Sequence, residues 1–148
     1  MNSKNQNGEE FLASDQLLKN FIAQTPVPIQ IHSTDGMLID FNSAYADLFS
    51  LSDAVTKKLI HTYNVLEDKQ AEKLGLMPYV EKTFKGEIVS FPEYEYDSGN
   101  TLEDLNIKQT ASRKPWIKTK GFSIVDEKGV VTQIVFISED FTMQKEAI

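Results

Sequence analysis

Residues 116–141, WIKTKGFSIVDEKGVVTQIVFISEDF, decide how this chain folds. Two runs rich in β-branched and aromatic residues, Trp116 to Val125 and Val130 to Phe141, flank Asp126-Glu127-Lys128-Gly129. Strand formers on either side of turn chemistry make a tight β-hairpin, with Gly129 supplying the position of positive φ. Its first strand carries Trp116, Phe122 and Ile124 on even positions. Its second carries Val131, Val135 and Ile137 on one parity and Ile134 and Phe136 on the other. Both faces of the sheet are therefore apolar. Helices from the middle of the chain can cover one face; the other needs an N-terminal helix, a second copy of the chain, or both. A homodimer is the expectation.

Reading back from the hairpin, Asp97 to Lys114 is polar and opens with Ser98-Gly99-Asn100; Leu102, Leu105 and Ile107 suggest a helical turn capped by Thr101. Connections of this length are uncommon unless they cover a site or are disordered. Ile88 to Tyr96 reads as a strand in which Pro92, lacking an N–H, marks an edge or a bulge. Ser52 to Gly86 is mainly helical. Leu59, Ile60, Tyr63 and Leu66 share one stripe, and Tyr79, Val80, Thr83 and Phe84 form a later helix between Pro78 and Gly86. The charged stretch from Asp68 to Gly75 is expected on the surface.

Nearer the N-terminus, Val27, Ile29 and Ile31 alternate with Pro28, Gln30 and His32, and Thr34-Asp35-Gly36 turns the chain into Met37 to Phe41, a second hairpin. Asn42 caps a helix bearing Tyr45, Leu48, Phe49 and Leu51. Leu17, Leu18, Phe21 and Ile22 form the apolar stripe of a first helix, capped by Asp15 and stopped by Pro26 and Pro28. The division is a polar, disordered lead-in at 1–13, one domain at 14–141, and the start of an exit helix at 142–148.

Composition bounds the function. The 148 residues, 41% hydrophobic and 10% aromatic, suffice for one core. With no cysteine there is no disulfide framework, thiolate metal site, Cys nucleophile or thiol–flavin adduct. A net charge of −7 and a lone arginine, Arg113, argue against a nucleic-acid surface. No apolar run is long enough for a membrane span and no secretory signal follows Met1, so the expected location is the cytoplasm with no membrane contact from this segment. No phosphate loop, metal-ligand cluster or nucleophile triad is present, and no catalytic or metal-binding residue is assigned.

Four segments in this order resemble the PAS (sensory-box) family. Gln24-Thr25-Pro26-Val27-Pro28-Ile29 looks like the family's passage from its first helix into its first strand, and Asp35-Gly36 like the turn that follows. Phe41-Asn42-Ser43-Ala44-Tyr45 is similar to the strand-to-helix junction, and Asp140-Phe141-Thr142 to the Asp-Ile-Thr ending that leads into a signalling helix. Ser50 stands where the family often has glycine, and Phe141 where it usually has isoleucine.

The resemblance implies an α+β fold: a five-stranded antiparallel sheet with short helices on one face, an N-terminal flanking helix and a cavity between. It implies a module that binds a small organic ligand and passes a conformational bias to a C-terminal effector. A histidine kinase or a cyclic-dinucleotide (GGDEF-type) domain would suit, in a longer sensor. Two rivals are a ligand-free PAS dimerisation adaptor and a small NTF2-like α+β enzyme with Asp47 as its pocket acid.

Candidate cavity residues are Tyr94 and Tyr96, on one face of their strand, with Tyr45 and Phe84 from the helices. Arg113 and Trp116 join them, since a guanidinium and an indole at a cavity mouth could hold an organic anion. Glu93 and Glu95, on the opposite strand face from the tyrosines, suit cross-strand pairing with cations better than acid–base work. Asp140 and Thr142 are the candidate output junction, because short oxygen side chains there cap the new helix. Cofactor identity is open. Haem is disfavoured because the helix at Tyr79–Phe84, where haem-binding relatives carry their ligand, has no histidine; His32 and His61 read as surface or half-buried residues. Flavin has no motif to hold it.

Overall fold

The computed structural model describes residues 16–109 and 111–147; the lead-in at 1–13 and the Asp15 cap lie outside the described residues. The chain starts in helix α1 (16–24). Strands β1 (Ile29–His32) and β2 (Leu38–Phe41) follow, then α2 (Ser43–Leu48), α3 (Asp53–Leu59), a 3₁₀ turn at Val65–Glu67, α4 (Lys69–Lys73) and α5 (Met77–Phe84). The rest comprises β3 (Val89–Ser90), β4 (Tyr94–Glu95), α6 (Ser98–Asp104), β5 (Trp116–Val125), β6 (Val131–Asp140) and α7 (Thr142–Glu146).

The sheet is antiparallel, in the order β2-β1-β6-β5-β3, with β4 also paired to β5. It has the five ladder positions expected and six strands by count. The predicted strand over Ile88–Tyr96 is split at Phe91-Pro92-Glu93, because proline cannot donate to the ladder. The long hairpin sets the register, with Gly121 opposite Phe136 and Lys120 opposite Ile137. Its turn is held by Asp126, whose carboxylate accepts the N–H groups of Lys128 and Val130.

Each sheet face has its own cluster. Leu38, Ile134 and Phe136 point inward to Val55, Leu59, Tyr63, Val80 and Leu102 from the helical side. Val135, Ile29 and Ile31 point outward, packed by Ile22 of α1 and by Phe122 and Ile137. Helix α5 lies so close to β5 that a Cβ on Gly121 would collide with Thr83 and Phe136.

Several local readings shift. The stripe Leu59-Ile60-Tyr63-Leu66 is not one helix: α3 ends at Leu59, and His61 takes φ 62°. The following backbone instead extends the sheet, with the Leu38 N–H bonded to the Tyr63 carbonyl and the His61 N–H to that of Leu38. Helix α6 is capped by Asp97 rather than Thr101, because the Asp97 side chain reaches the Gly99 N–H. Asp68, expected on the surface, is 5% exposed, and Ala71 is buried beside it.

His32 is wholly buried rather than surface or half-buried. It shares the inner face of β1 with Gln30, and a register shift between Ile31 and His32 brings it beneath the Gly36 turn. Its Nδ1–H donates to the Gly36 carbonyl at 2.9 Å. Burial lowers its pKa from 6.5 to about 4, so the ring is neutral. Its Nε2, 2.9 Å from the Gln30 side-chain amide, must then accept. That sets the interchangeable ends of the amide with nitrogen toward the ring.

Candidate functional site

The short helices and the inner sheet face line a partly open cavity of about 70 Å³. One side is apolar, from Leu59, Val65, Leu76, Val80, Leu102 and Phe136. The other is aromatic and largely phenolic: Tyr45 and Phe49 come from α2 and its C-cap, Tyr63 from the segment after α3, and Tyr94 and Tyr96 from β4 and its end. The alternation of β4 that turns both tyrosines inward turns Glu93 and Glu95 outward. There Glu93 pairs with Lys118 and Lys145, and Glu95 with Lys114.

Asp68 organises the polar wall. As the N-cap of α4, its Oδ1 accepts the Ala71 N–H at 3.0 Å. Its Oδ2 accepts the Tyr63 hydroxyl at 2.5 Å and the Tyr96 hydroxyl at 2.6 Å. The Tyr96 hydroxyl also meets Thr101 on α6. Tyr94 bonds Thr119 at 2.7 Å, and Thr119 bonds Ser138 at 3.0 Å, crossing from β5 to β6. Burial, with the Asp68 charge adding to it, raises the pKa of Tyr45, Tyr63 and Tyr96 above the ordinary phenol value, so all three keep their protons. Gln70 pins α4 to the start of α6 by donating to the Asp97 carbonyl and accepting the Asp97 N–H.

Of the residues singled out in sequence, Tyr45, Tyr94 and Tyr96 line this cavity. Phe84 packs against Phe136 and is not among the lining residues. Arg113 and Trp116 stand elsewhere, at the junction between β6 and α7. The Arg113 guanidinium pairs with Asp140 at 2.7 Å and donates to the Leu48 carbonyl at 3.1 Å. Trp116 stacks at an angle on Phe141 and lies under Lys145, whose Nζ is 4.6 Å from the indole centre. Asp140 and Thr142 do meet: Asp140 Oδ1 accepts the Thr142 N–H and hydroxyl, and the Thr142 oxygen accepts the Trp116 N–H. Burial opposes ionisation of Asp140, but the Thr142 bonds and Arg113 hold its pKa below the usual value. Asp47 lines a broad open groove on the outer side and is absent from the inner cavity.

Asp68 and Tyr63 were missed in sequence, since each lay in a stretch whose charge or helical spacing pointed another way. The legible signal was Asp68 followed three residues later by Ala71, the spacing of an N-cap and the N–H it accepts. Among the described residues no cluster of three or more His, Cys, Asp or Glu could hold a metal, and no helix is long and apolar enough to cross a membrane.

No family model matches the sequence, and no curated protein does. Solved structures match the fold. The PAS domain of an HTR-like protein from Haloarcula marismortui superposes with a TM-score of 0.62 at 12% identity, covering 93% of this chain and 99% of that one. A domain of a sensory box sensor histidine kinase/response regulator from Geobacter sulfurreducens gives 0.55 at 12% identity, covering 86% and 94%. An RNA-binding light-oxygen-voltage receptor gives 0.62 at 14% identity; the match covers 89% of this chain but only 34% of the receptor.

Proposed function

We propose, from the PAS fold of this chain, that it is a cytoplasmic sensory module: it binds a small molecule in the internal cavity and relays occupancy through α7 to an effector such as a histidine kinase or a cyclic-dinucleotide domain. The observation that carries this reading is a connected route from the cavity wall to the exit helix, through the α2 backbone and then through polar contacts. Tyr45 and Phe49 line the cavity, and the Leu48 carbonyl between them is held by Arg113. Arg113 holds Asp140, and Asp140 holds the first turn of α7 through Thr142. A shift of α2 on ligand entry would pull on the group that positions the exit helix, a two-state junction of the kind a signal must bias.

Filling the cavity can stand in for a ligand. Ala71→Leu adds bulk at a buried lining position. It should change hydrogen exchange at the α7 amides of Lys145 and Ala147 by about threefold or more. In an Arg113→Ala background the change should vanish. An equal change in both backgrounds, or none in either, would refute the relay.

A second copy of the chain is the partner we place on α1. Leu17, Leu18 and Phe21 are 70%, 55% and 65% exposed, while only Ile22 of the predicted stripe packs on the outer sheet face. An apolar strip along one helix suits a two-fold contact with itself. The expected result is a dimer in sedimentation equilibrium that weakens about tenfold or more for each of Leu18→Glu and Phe21→Glu. A wild-type monomer at high micromolar concentration would remove the partner. This surface equally suits the adaptor rival, from which cavity binding separates it.

A further inference from the structure

We infer that the cavity is shaped for a small organic cation, an alkylammonium group; this rests on the ligand-binding reading above. Asp68 is the only charged side chain among the cavity-lining residues, it is 5% exposed, and it forms no ion pair among the described residues. A buried carboxylate without a cation is an expensive arrangement. Three donors reach it, from Tyr63, Tyr96 and the Ala71 backbone, which leaves about one of a carboxylate's four acceptor sites open. An anion would meet this charge with no Arg, Lys or His in the wall to offset it.

The rest of the wall complements a cation in a second way. Tyr45, Phe49, Tyr96 and Tyr94 form a chain of edge-to-face rings with centroids 5.4, 5.5 and 6.4 Å apart. Edge-to-face packing leaves ring faces available, and the negative face of an aromatic ring attracts ammonium groups. Independently, the Tyr45 hydroxyl has no hydrogen-bond partner among the described residues, although Tyr45 is only 6% exposed and lines the cavity. A buried phenol normally finds a partner. Its oxygen can accept an ammonium N–H. The cavity volume of about 70 Å³ suits a ligand of a few heavy atoms.

The test follows the cavity methyl groups of Leu59, Val80 and Leu102 by NMR while the protein is titrated at constant ionic strength. The probes are ethylammonium with ethanol as its neutral counterpart, tetramethylammonium with tert-butanol, and acetate as the anion. Saturable methyl shifts are expected with the cations at concentrations about tenfold or more below those needed for the alcohols, and none with acetate. Tyr45→Phe should weaken ethylammonium about tenfold, and Asp68→Asn should erase the preference for cations. Alcohols binding as well as the cations, acetate binding, or unchanged ethylammonium affinity in Tyr45→Phe would each overturn the assignment while leaving the cavity as a ligand site. Should no probe shift any cavity methyl, the ligand-binding reading falls with it.

Discussion

Replacing Asn42 by alanine should cost about 4 kcal/mol of unfolding free energy, read as a fall in the urea midpoint at unchanged slope. This residue is 2% exposed and uses both ends of its amide. Its oxygen accepts the N–H of Ile29 at 2.9 Å and that of Tyr45 at 3.1 Å. Its nitrogen donates to the carbonyls of Ile22 at 3.0 Å and Val27 at 2.8 Å. One side chain thus caps α2 while tying down the end of α1 and the start of β1. A simple helix cap would cost only about 1 kcal/mol. The difference is the cost of leaving buried backbone groups unpaired. Asn42→Asp separates the roles: it keeps the acceptor but sets a carboxylate against two carbonyl oxygens. It should lose about 3 kcal/mol or more. A loss near 1 kcal/mol in both variants would reduce Asn42 to a cap.

The second large effect is a pH dependence from His32. Its folded pKa of about 4 lies below the 6.5 of an unfolded chain, because burial disfavours the charged ring. The unfolded state therefore binds the proton more readily, and stability from this group is fully present above pH 6.5 and lost as pH falls toward 4. Between pH 7 and pH 5 the loss should be about 2 kcal/mol. That window lies above the ordinary titration of carboxylates. His32→Asn retains a donor for the Gly36 carbonyl and has nothing to titrate. It should lower stability at pH 7 but flatten the slope between pH 7 and pH 5. A slope unchanged in this variant would show that other groups carry the acid sensitivity.

Local chemistry made much of the fold legible. The β5–β6 hairpin, the Asp35-Gly36 turn, the Asn42 cap and the Pro78 start of α5 are each set by a few adjacent residues, and the side-chain parity of β5 and β6 disclosed two buried faces. The inward pair Tyr94 and Tyr96 followed from period two in the same way. His32 and Asp68 did not, because burial of a polar side chain depends on partners remote in sequence. For Asp68 these include Tyr96, 28 positions away, and for His32 the ring of Phe136. Arg113 and Trp116 looked like cavity residues because their chemistry suits one. Their partners Leu48, Asp140, Phe141 and Lys145 come from α2 and the β6–α7 junction, which no spacing within 111–116 could reveal.

The sequence by itself determined the two hairpins and the helix after Asn42, that both sheet faces need cover, and that thiol chemistry is absent, since these follow from side-chain type and period. Only the tertiary structure decided that seven ring-bearing side chains and one carboxylate line a cavity, that the Tyr45 hydroxyl is left without a partner among the described residues, and that the chain's single arginine ties α2 to the junction with the exit helix. Long-range packing brings those groups together, and its geometry is set by the whole fold rather than by any stretch of neighbours.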